Sequence, residues 1–264
     1  MWLDVTGKKI FAATGGKAFD AAKPTVVFIH GNACDHTSWA MQTRWFAYHG
    51  YSVLAVDLPG NGRSEGPMLE SVEAFADWMP LLLDAAGVRQ AALVGHSMGA
   101  LIALETAVRH PSRVQKISLL GFAFPMAVNP ELQALADSGA YTVVELMNDW
   151  MIAKKNQIGS NRVPGSHLLN GSIRLIDRAP RNCLALGFRL CNAYQNGKQA
   201  VAAVAAPVQI IAGERDQMTP LRAARGWAKE FKDGRIDVLP GCGHMMMGER
   251  PDETLDALKI FIAG

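Results

Sequence analysis

The sequence predicts an α/β fold, with a doubly wound, mostly parallel sheet flanked by helices and one helical insertion. Three observations carry this expectation. Short, almost wholly apolar runs alternate with longer stretches of helical periodicity, as expected for strands buried on both faces beneath crossover helices. Each run ends in Gly, Pro, Asp or His. The alternation then breaks off over residues 122–206, where no strand pattern is found.

In chain order the strand-like runs are 25–30, 52–56, 91–94, 116–120, 208–212 and 235–239. A helix is expected over 71–86, because Val72, Phe75, Trp78, Met79 and Leu82 recur near helical spacing. Residues 98–109 are rich in Ala and Leu and stop before Pro111, and two further helices are expected over 221–231 and 252–262. Within 122–206 the stretches 131–137 and 142–153 have helical character, with loop punctuation at 161–165 and 170–172. Compact domains rarely carry structureless connections of such length, so this stretch reads as a mostly helical insertion. The core is then 1–121 and 207–264, with the insertion between.

Composition narrows the function classes. The chain has 264 residues, 49% hydrophobic and 19% charged, with a net charge of +2. That is enough apolar material for a substantial core, and it excludes a largely disordered chain. With no Lys/Arg block, neither nucleic acid nor an anionic membrane is an expected partner. Cys34, Cys183, Cys191 and Cys242 form no CxxC pair and no metal-ligand spacing, and read as reduced thiols. The most apolar stretch, 200–213, is interrupted by Pro207 and Gln209 and is too short to span a bilayer. The first ten residues do not resemble a signal peptide, so a soluble, cytoplasmic protein is expected.

The chemistry centres on Gly95-His96-Ser97-Met98-Gly99, which follows an apolar run and opens a helical pattern. A serine on a sharp strand-to-helix turn needs small residues two before and two after it, where a Cβ would collide with neighbouring backbone. The turn points the hydroxyl toward the helix N-terminus, whose free amides favour developing negative charge. A serine hydroxyl needs a base within hydrogen-bond reach. Of seven histidines, His244 has the best context, just after the last strand-like run and between Gly243 and a methionine run. His30 and His96 have competing packing roles, and His36, His49, His110 and His167 lack such a context.

With these residues the sequence resembles the α/β-hydrolase fold family over nearly the whole chain outside the insertion. The further landmarks are His30-Gly31-Asn32, Asp57-Leu58-Pro59-Gly60-Asn61-Gly62-Arg63-Ser64, Gly213-Glu214-Arg215-Asp216 and Gly243-His244, in the family's order. Many relatives have a His where this chain has Asn61. The resemblance implies a catalytic acid at Asp216, with Glu214 as its nearest competitor. It implies an oxyanion hole from the backbone amides of Met98 and Asn32, with Ala33 able to substitute for Asn32. Because Met98 would act through its backbone, side-chain substitution there is expected to cost less than at Ser97 or His244. The insertion resembles a cap. Trp39, Met126, Trp150 and Met245 are candidates for substrate contact, and ordinary packing is the alternative for each.

These parts support acyl transfer to water, with activity rising as the catalytic imidazole loses its proton. A Ser nucleophile argues against epoxide hydrolases and haloalkane dehalogenases, which use a carboxylate. Relatives that cleave carbon–carbon bonds often have Asn at the position of His96. A carboxylesterase acting on small to medium, fairly apolar esters is therefore favoured. A carbon–carbon hydrolase, a lactonase, a cofactor-free haloperoxidase-like esterase and a non-catalytic small-ligand receptor stay open. Arg174, Arg178, Arg181 and Arg189 could bind an acidic substrate or form a solvated helix face. No phosphate-cradling loop or zinc-ligand spacing is found, so no cofactor or metal is expected.

Overall fold

The computed structural model describes residues 1–159, 163–180 and 182–264. Its strands are β1 (Trp2–Val5), β2 (Lys8–Ala13), β3 (Thr25–Ile29), β4 (Ser52–Val56), β5 (Ala91–His96), β6 (Val114–Leu120), β7 (Val208–Gly213) and β8 (Gly234–Leu239). They form one sheet in the order β1-β2-β4-β3-β5-β6-β7-β8. From β4 to β8 neighbouring strands run parallel. Each strand-like run in the sequence is one of these strands. β3, β4, β5 and β7 are buried at every residue, which is why they read as unbroken apolar runs.

The hairpin of β1 and β2, joined antiparallel to β4, has no counterpart in the expected strands. β1 alternates exposed and buried residues, the pattern of a half-buried edge, and at four residues the signal is short.

The core helices are α1 (Ala40–Tyr48), α2 (Val72–Ala85) and α3 (Met98–Arg109). Among the described residues, six helices then lie between β6 and β7: α4 (Pro130–Ser138), α5 (Thr142–Met151), α6 (Lys154–Gln157), α7 (Leu168–Asp177), α8 (Cys183–Ala193) and α9 (Gly197–Ala203). No strand occurs among the described residues of this stretch. The chain finishes with α10 (Leu221–Ala228), α11 (Met246–Glu249) and α12 (Pro251–Ile262). The expected α2 is fixed at its start by Ser71, whose side chain accepts from the Ala74 amide.

Two apolar clusters cover the two faces of the sheet. One gathers α2, α3 and α9, and the other gathers α1, α12 and much of the insertion. α9 therefore packs on α3, and the last part of the insertion is seated on the core. The buried Glu105 carboxylate of α3 ties this end down, accepting from Tyr194 Oη at 2.7 Å and from Asn196 Nδ2 at 2.9 Å.

Candidate active site

Ser97 stands between the end of β5 and the start of α3 with φ +54° and ψ −119°. A non-glycine residue in this region stores roughly 1–3 kcal/mol of backbone strain. The surroundings hold it there. The Ser97 amide donates to Leu120 O at 2.9 Å. A Cβ at residue 95 would lie 2.1 Å from Gly99 O, and one at residue 99 would lie 2.4 Å from Ile29 O. Both glycines are required sterically, as their spacing around the serine led one to expect.

His244 sits in the loop after β8, and Asp216 in the loop after β7. His244 Nδ1 donates to Asp216 Oδ2 at 2.8 Å, and both side chains are buried. That bond leaves Nε2 as the nitrogen able to serve a reacting group. Asp216 is itself held by the amides of Met218 and Thr219 on Oδ1 at 2.8 and 2.9 Å, and by Thr219 Oγ1 on Oδ2 at 2.6 Å. Burial alone would raise the Asp216 carboxyl. The charge of protonated His244 and the bonds from His244 and Thr219 outweigh it and keep the carboxyl below its usual range.

The imidazole is placed by contact as well. A Cβ at Gly121, where φ is +59°, would come 2.7 Å from His244 Cε1. The His96 ring lies 4.7 Å from that of His244, centroid to centroid, and His96 Nε2–H donates to His244 O at 2.9 Å. His244 is thereby fastened to the residue that precedes Ser97. Burial pushes the His96 pKa down to about 3, so this ring stays neutral.

Ser97 opens onto a cavity of about 200 Å³. Met126, Val128, Leu132, Trp150, Phe188 and Met218 give it apolar walls. Asn32, Asn129, Gln217 and Thr219 add polar groups, and among the described residues no charged side chain lines it. The Asn32 side chain leans on the insertion: its Nδ2 donates to Leu184 O at 2.8 Å, and a Cβ at Gly187 would fall 1.9 Å from its Oδ1. Met98 is the first residue of α3, so its amide has no acceptor within the helix.

A family model described as the alpha/beta hydrolase family matches residues 26–257. The chain belongs to this family. Among its relatives, the pimeloyl-[acyl-carrier protein] methyl ester esterase of Aromatoleum aromaticum is 28% identical over 258 residues, covering 92% of this chain and 99% of that protein. The 2-hydroxymuconate semialdehyde hydrolase of a Pseudomonas species is 30% identical over 256 residues, covering 90% and 86%. The solved enol-lactonase of Burkholderia xenovorans superposes over the full length of both chains with a TM-score of 0.87 at 20% identity, a likeness of fold. In this α/β hydrolase no helix among the described residues is long and apolar enough to cross a membrane.

The substrate contacts expected from sequence divide evenly. Met126 and Trp150 line the Ser97 cavity. Trp39 does not: it is fully buried, packed on Phe28 at 5.2 Å between ring centroids. Met245 faces a different cavity, shared with α7 and with Thr37, Ser38, Ala40 and Met41, because the backbone after His244 turns into α11 and carries its side chain away from Ser97.

The arginines are also placed elsewhere. Arg178 pairs with Asp35 at 2.5 Å, Arg189 with Asp137 at 2.5 Å and Arg174 with Asp177 at 3.6 Å. Arg181 and part of the expected loop at 161–165 lie outside the described residues. Glu214, the competitor for the acid, accepts from the Gly241 amide at 2.8 Å and braces the His244 loop from outside.

Thr219, Phe188 and Gln217 were not singled out by sequence. Thr219 lies next to Pro220 in sequence, and its bond to Asp216 exists only once that loop is folded. His36 acquires a partner too, donating from Nδ1 to Asp57 Oδ1 at 2.8 Å. Asp35, His36 and Asp57 bring possible metal-ligand atoms within 4.8 Å of one another. Their oxygens already serve protein donors: His36 and Arg63 amides on Asp57, and Thr37 and Arg178 on Asp35. All four cysteines are free and buried, and burial pushes the Cys34 thiol up to about 12.

Proposed function

We propose that this chain is a serine hydrolase that cleaves uncharged carboxylic esters of small to medium size through an acyl-enzyme. The observation that carries this reading is the cavity over Ser97. Its walls are mainly apolar side chains with a few neutral polar groups and no charged one among the described residues, and its volume of about 200 Å³ is below the roughly 300–1,000 Å³ usual for drug-sized ligands. A short, neutral acyl group suits it. The insertion, residues 122–206, acts as a cap whose α5 and α8 supply Trp150 and Phe188 to its wall.

In this mechanism Ser97 Oγ attacks the ester carbonyl while His244 Nε2 accepts its proton. Asp216 holds the imidazole in the tautomer with Nδ1–H and stabilises the imidazolium that forms. The amides of Met98 and Asn32 receive the oxyanion, and the helix N-terminus at Met98 adds to the stabilisation of that charge. His244 then protonates the departing alcohol, and water repeats the sequence in reverse to release the acid.

The relatives include an esterase and a carbon–carbon hydrolase, and the lining favours the first. The substrate name of the second implies a carboxylate at neutral pH, and no described cation lines this cavity to receive one. The test is a panel of nitrophenyl acetate, butyrate and octanoate, a neutral lactone and a carboxylated ring-fission diketone. Turnover of the short esters, lost in Ser97→Ala, is expected. Cleavage of the carboxylated diketone with no ester turnover would overturn the proposal. Ligand binding with no turnover of anything in the panel would point to a receptor.

A further inference from the structure

Behind His244 lies a second carboxylate that the mechanism leaves unused. Glu249 closes the short helix α11 and is only 1% exposed. Its Oε2 accepts from the Gly243 amide at 3.0 Å, the Ala153 amide at 3.0 Å and Asn156 Nδ2 at 2.7 Å. Its Oε1 accepts from the Met245 amide at 3.2 Å. Two of these donors flank His244 in the chain, and the other two belong to the insertion.

The same part of the insertion touches His244 directly. The His244 amide donates to Met151 O at 2.6 Å, and Asn156 Nδ2 also donates to Gly241 O at 3.0 Å. The approach is so close that a Cβ at Gly243 would come 2.5 Å from Ala153 N and 2.6 Å from Met151 O. The loop is held on its other side by His96, which donates to the His244 carbonyl. A carboxylate has acceptor sites for all four donors. An amide in its place would aim N–H groups at N–H groups.

We propose that Glu249 is a positioning residue for His244, and that it couples the imidazole's placement to segment 151–156 of the insertion. Trp150, next to that segment, lines the Ser97 cavity. A substrate that presses on Trp150 therefore acts on a chain that reaches His244 through one carboxylate and three amides. This inference rests on His244 as the catalytic base. A merely structural Glu249 would stabilise the fold and leave every folded molecule fully active.

The test compares Glu249→Gln and Glu249→Asp with Glu105→Gln. Glu105 is a carboxylate equally buried, but its hydrogen-bond partners Tyr194 and Asn196 belong neither to the His244 loop nor to segment 151–156. Three quantities are measured well below each Tm: kcat, KM for nitrophenyl butyrate, and the downfield proton resonance of His244 Nδ1–H. Glu249→Gln is expected to lose roughly 10- to 100-fold in kcat, as small misplacements of catalytic groups do. Its KM should change little, its resonance should shift or broaden, and Glu249→Asp should recover part of the loss. Glu105→Gln is expected to lower Tm and leave kcat and the resonance as in the wild type.

Wild-type kcat and an unmoved resonance in folded Glu249→Gln would overturn the inference, as would an equal kcat loss in Glu105→Gln. If Glu249→Gln does not fold, Asn156→Ala takes its place, since it removes one donor from Glu249 and the bond to Gly241 O, both of them links between segment 151–156 and the His244 loop. An unmoved resonance there overturns the inference equally. The resonance needs no turnover, so a wild type inactive on esters would defeat the proposed function and still leave the coupling tested.

Discussion

Around Ser97 the backbone is fixed by approaches that only glycine permits, whereas the insertion reaches the same cavity with side chains. At Gly95, Gly99 and Gly121 an added Cβ would meet backbone or the His244 ring at 2.1 to 2.7 Å. Met126, Trp150 and Phe188 meet the cavity with flexible or planar groups and ordinary contacts. The two regions should therefore respond to mutation in different ways. Changes at the sheet edge should alter how fast any ester reacts, and changes in the insertion should alter which ester reacts.

The largest effect is expected for Ser97→Ala, which removes the proposed nucleophile and should lower kcat by ~10⁴-fold or more for every acyl length. A steady-state assay together with loss of labelling by a fluorophosphonate checks this. A comparable loss that varied with acyl length would break the division between the two regions. Next comes Asp216→Asn. The carboxylate takes the His244 Nδ1–H, and an amide there favours the wrong tautomer, so a loss of roughly 10³- to 10⁴-fold is expected with KM little changed. A drop confined to KM would show that Asp216 acts on binding.

Gly187→Ala probes a place where the insertion behaves like the sheet edge. Its Cβ would fall 1.9 Å from Asn32 Oδ1, so either α8 or the Asn32 side chain must move. A loss on the order of tenfold in kcat is expected, since Asn32 is proposed to carry an oxyanion amide and shifts of this kind misplace donors. Unchanged kcat would mean the Asn32 backbone is held independently of the insertion. Trp150→Ala should act in the opposite sense. By enlarging the wall it should raise octanoate over acetate in kcat/KM by about 10-fold, the scale at which hydrophobic pockets discriminate. A uniform loss across the series would give Trp150 a role in placing His244, consistent with its position beside Met151.

How much could be read in advance follows the same division. β3, β4, β5 and β7 are buried on both faces, so their apolar runs were unmistakable, and the small residues around Ser97 declared the turn. β1 and α8 were missed for physical reasons. β1 is a half-buried edge of four residues, and α8 carries Gly187 because Asn32, distant in sequence, needs the space. Trp39 and Met245 show the limit for side chains: proximity in sequence to an active-site loop does not fix direction. Trp39 turns under the sheet onto Phe28, and Met245 leaves with α11. Glu249 offered no signal at all. A Glu before Pro251 reads as a solvated helix start, and its burial comes from Ala153 and Asn156, 96 and 93 residues away.

The smallest effect is expected at Met98, and it separates backbone from side chain at one residue. Met98 is fully buried at the first position of α3, and its amide is the one next to Ser97. If that amide alone receives the oxyanion, Met98→Leu keeps the donor and nearly conserves the volume, so a change in kcat of less than about threefold is expected. Burial of the side chain predicts instead that the cost appears as stability, at less than about 1.5 kcal/mol in a denaturant titration. A kcat loss as deep as that of Ser97→Ala, in a protein that melts normally, would mean that the thioether itself shapes the turn. In that case the backbone placement at the sheet edge would depend on packing from beneath as well as on the glycines at 95 and 99.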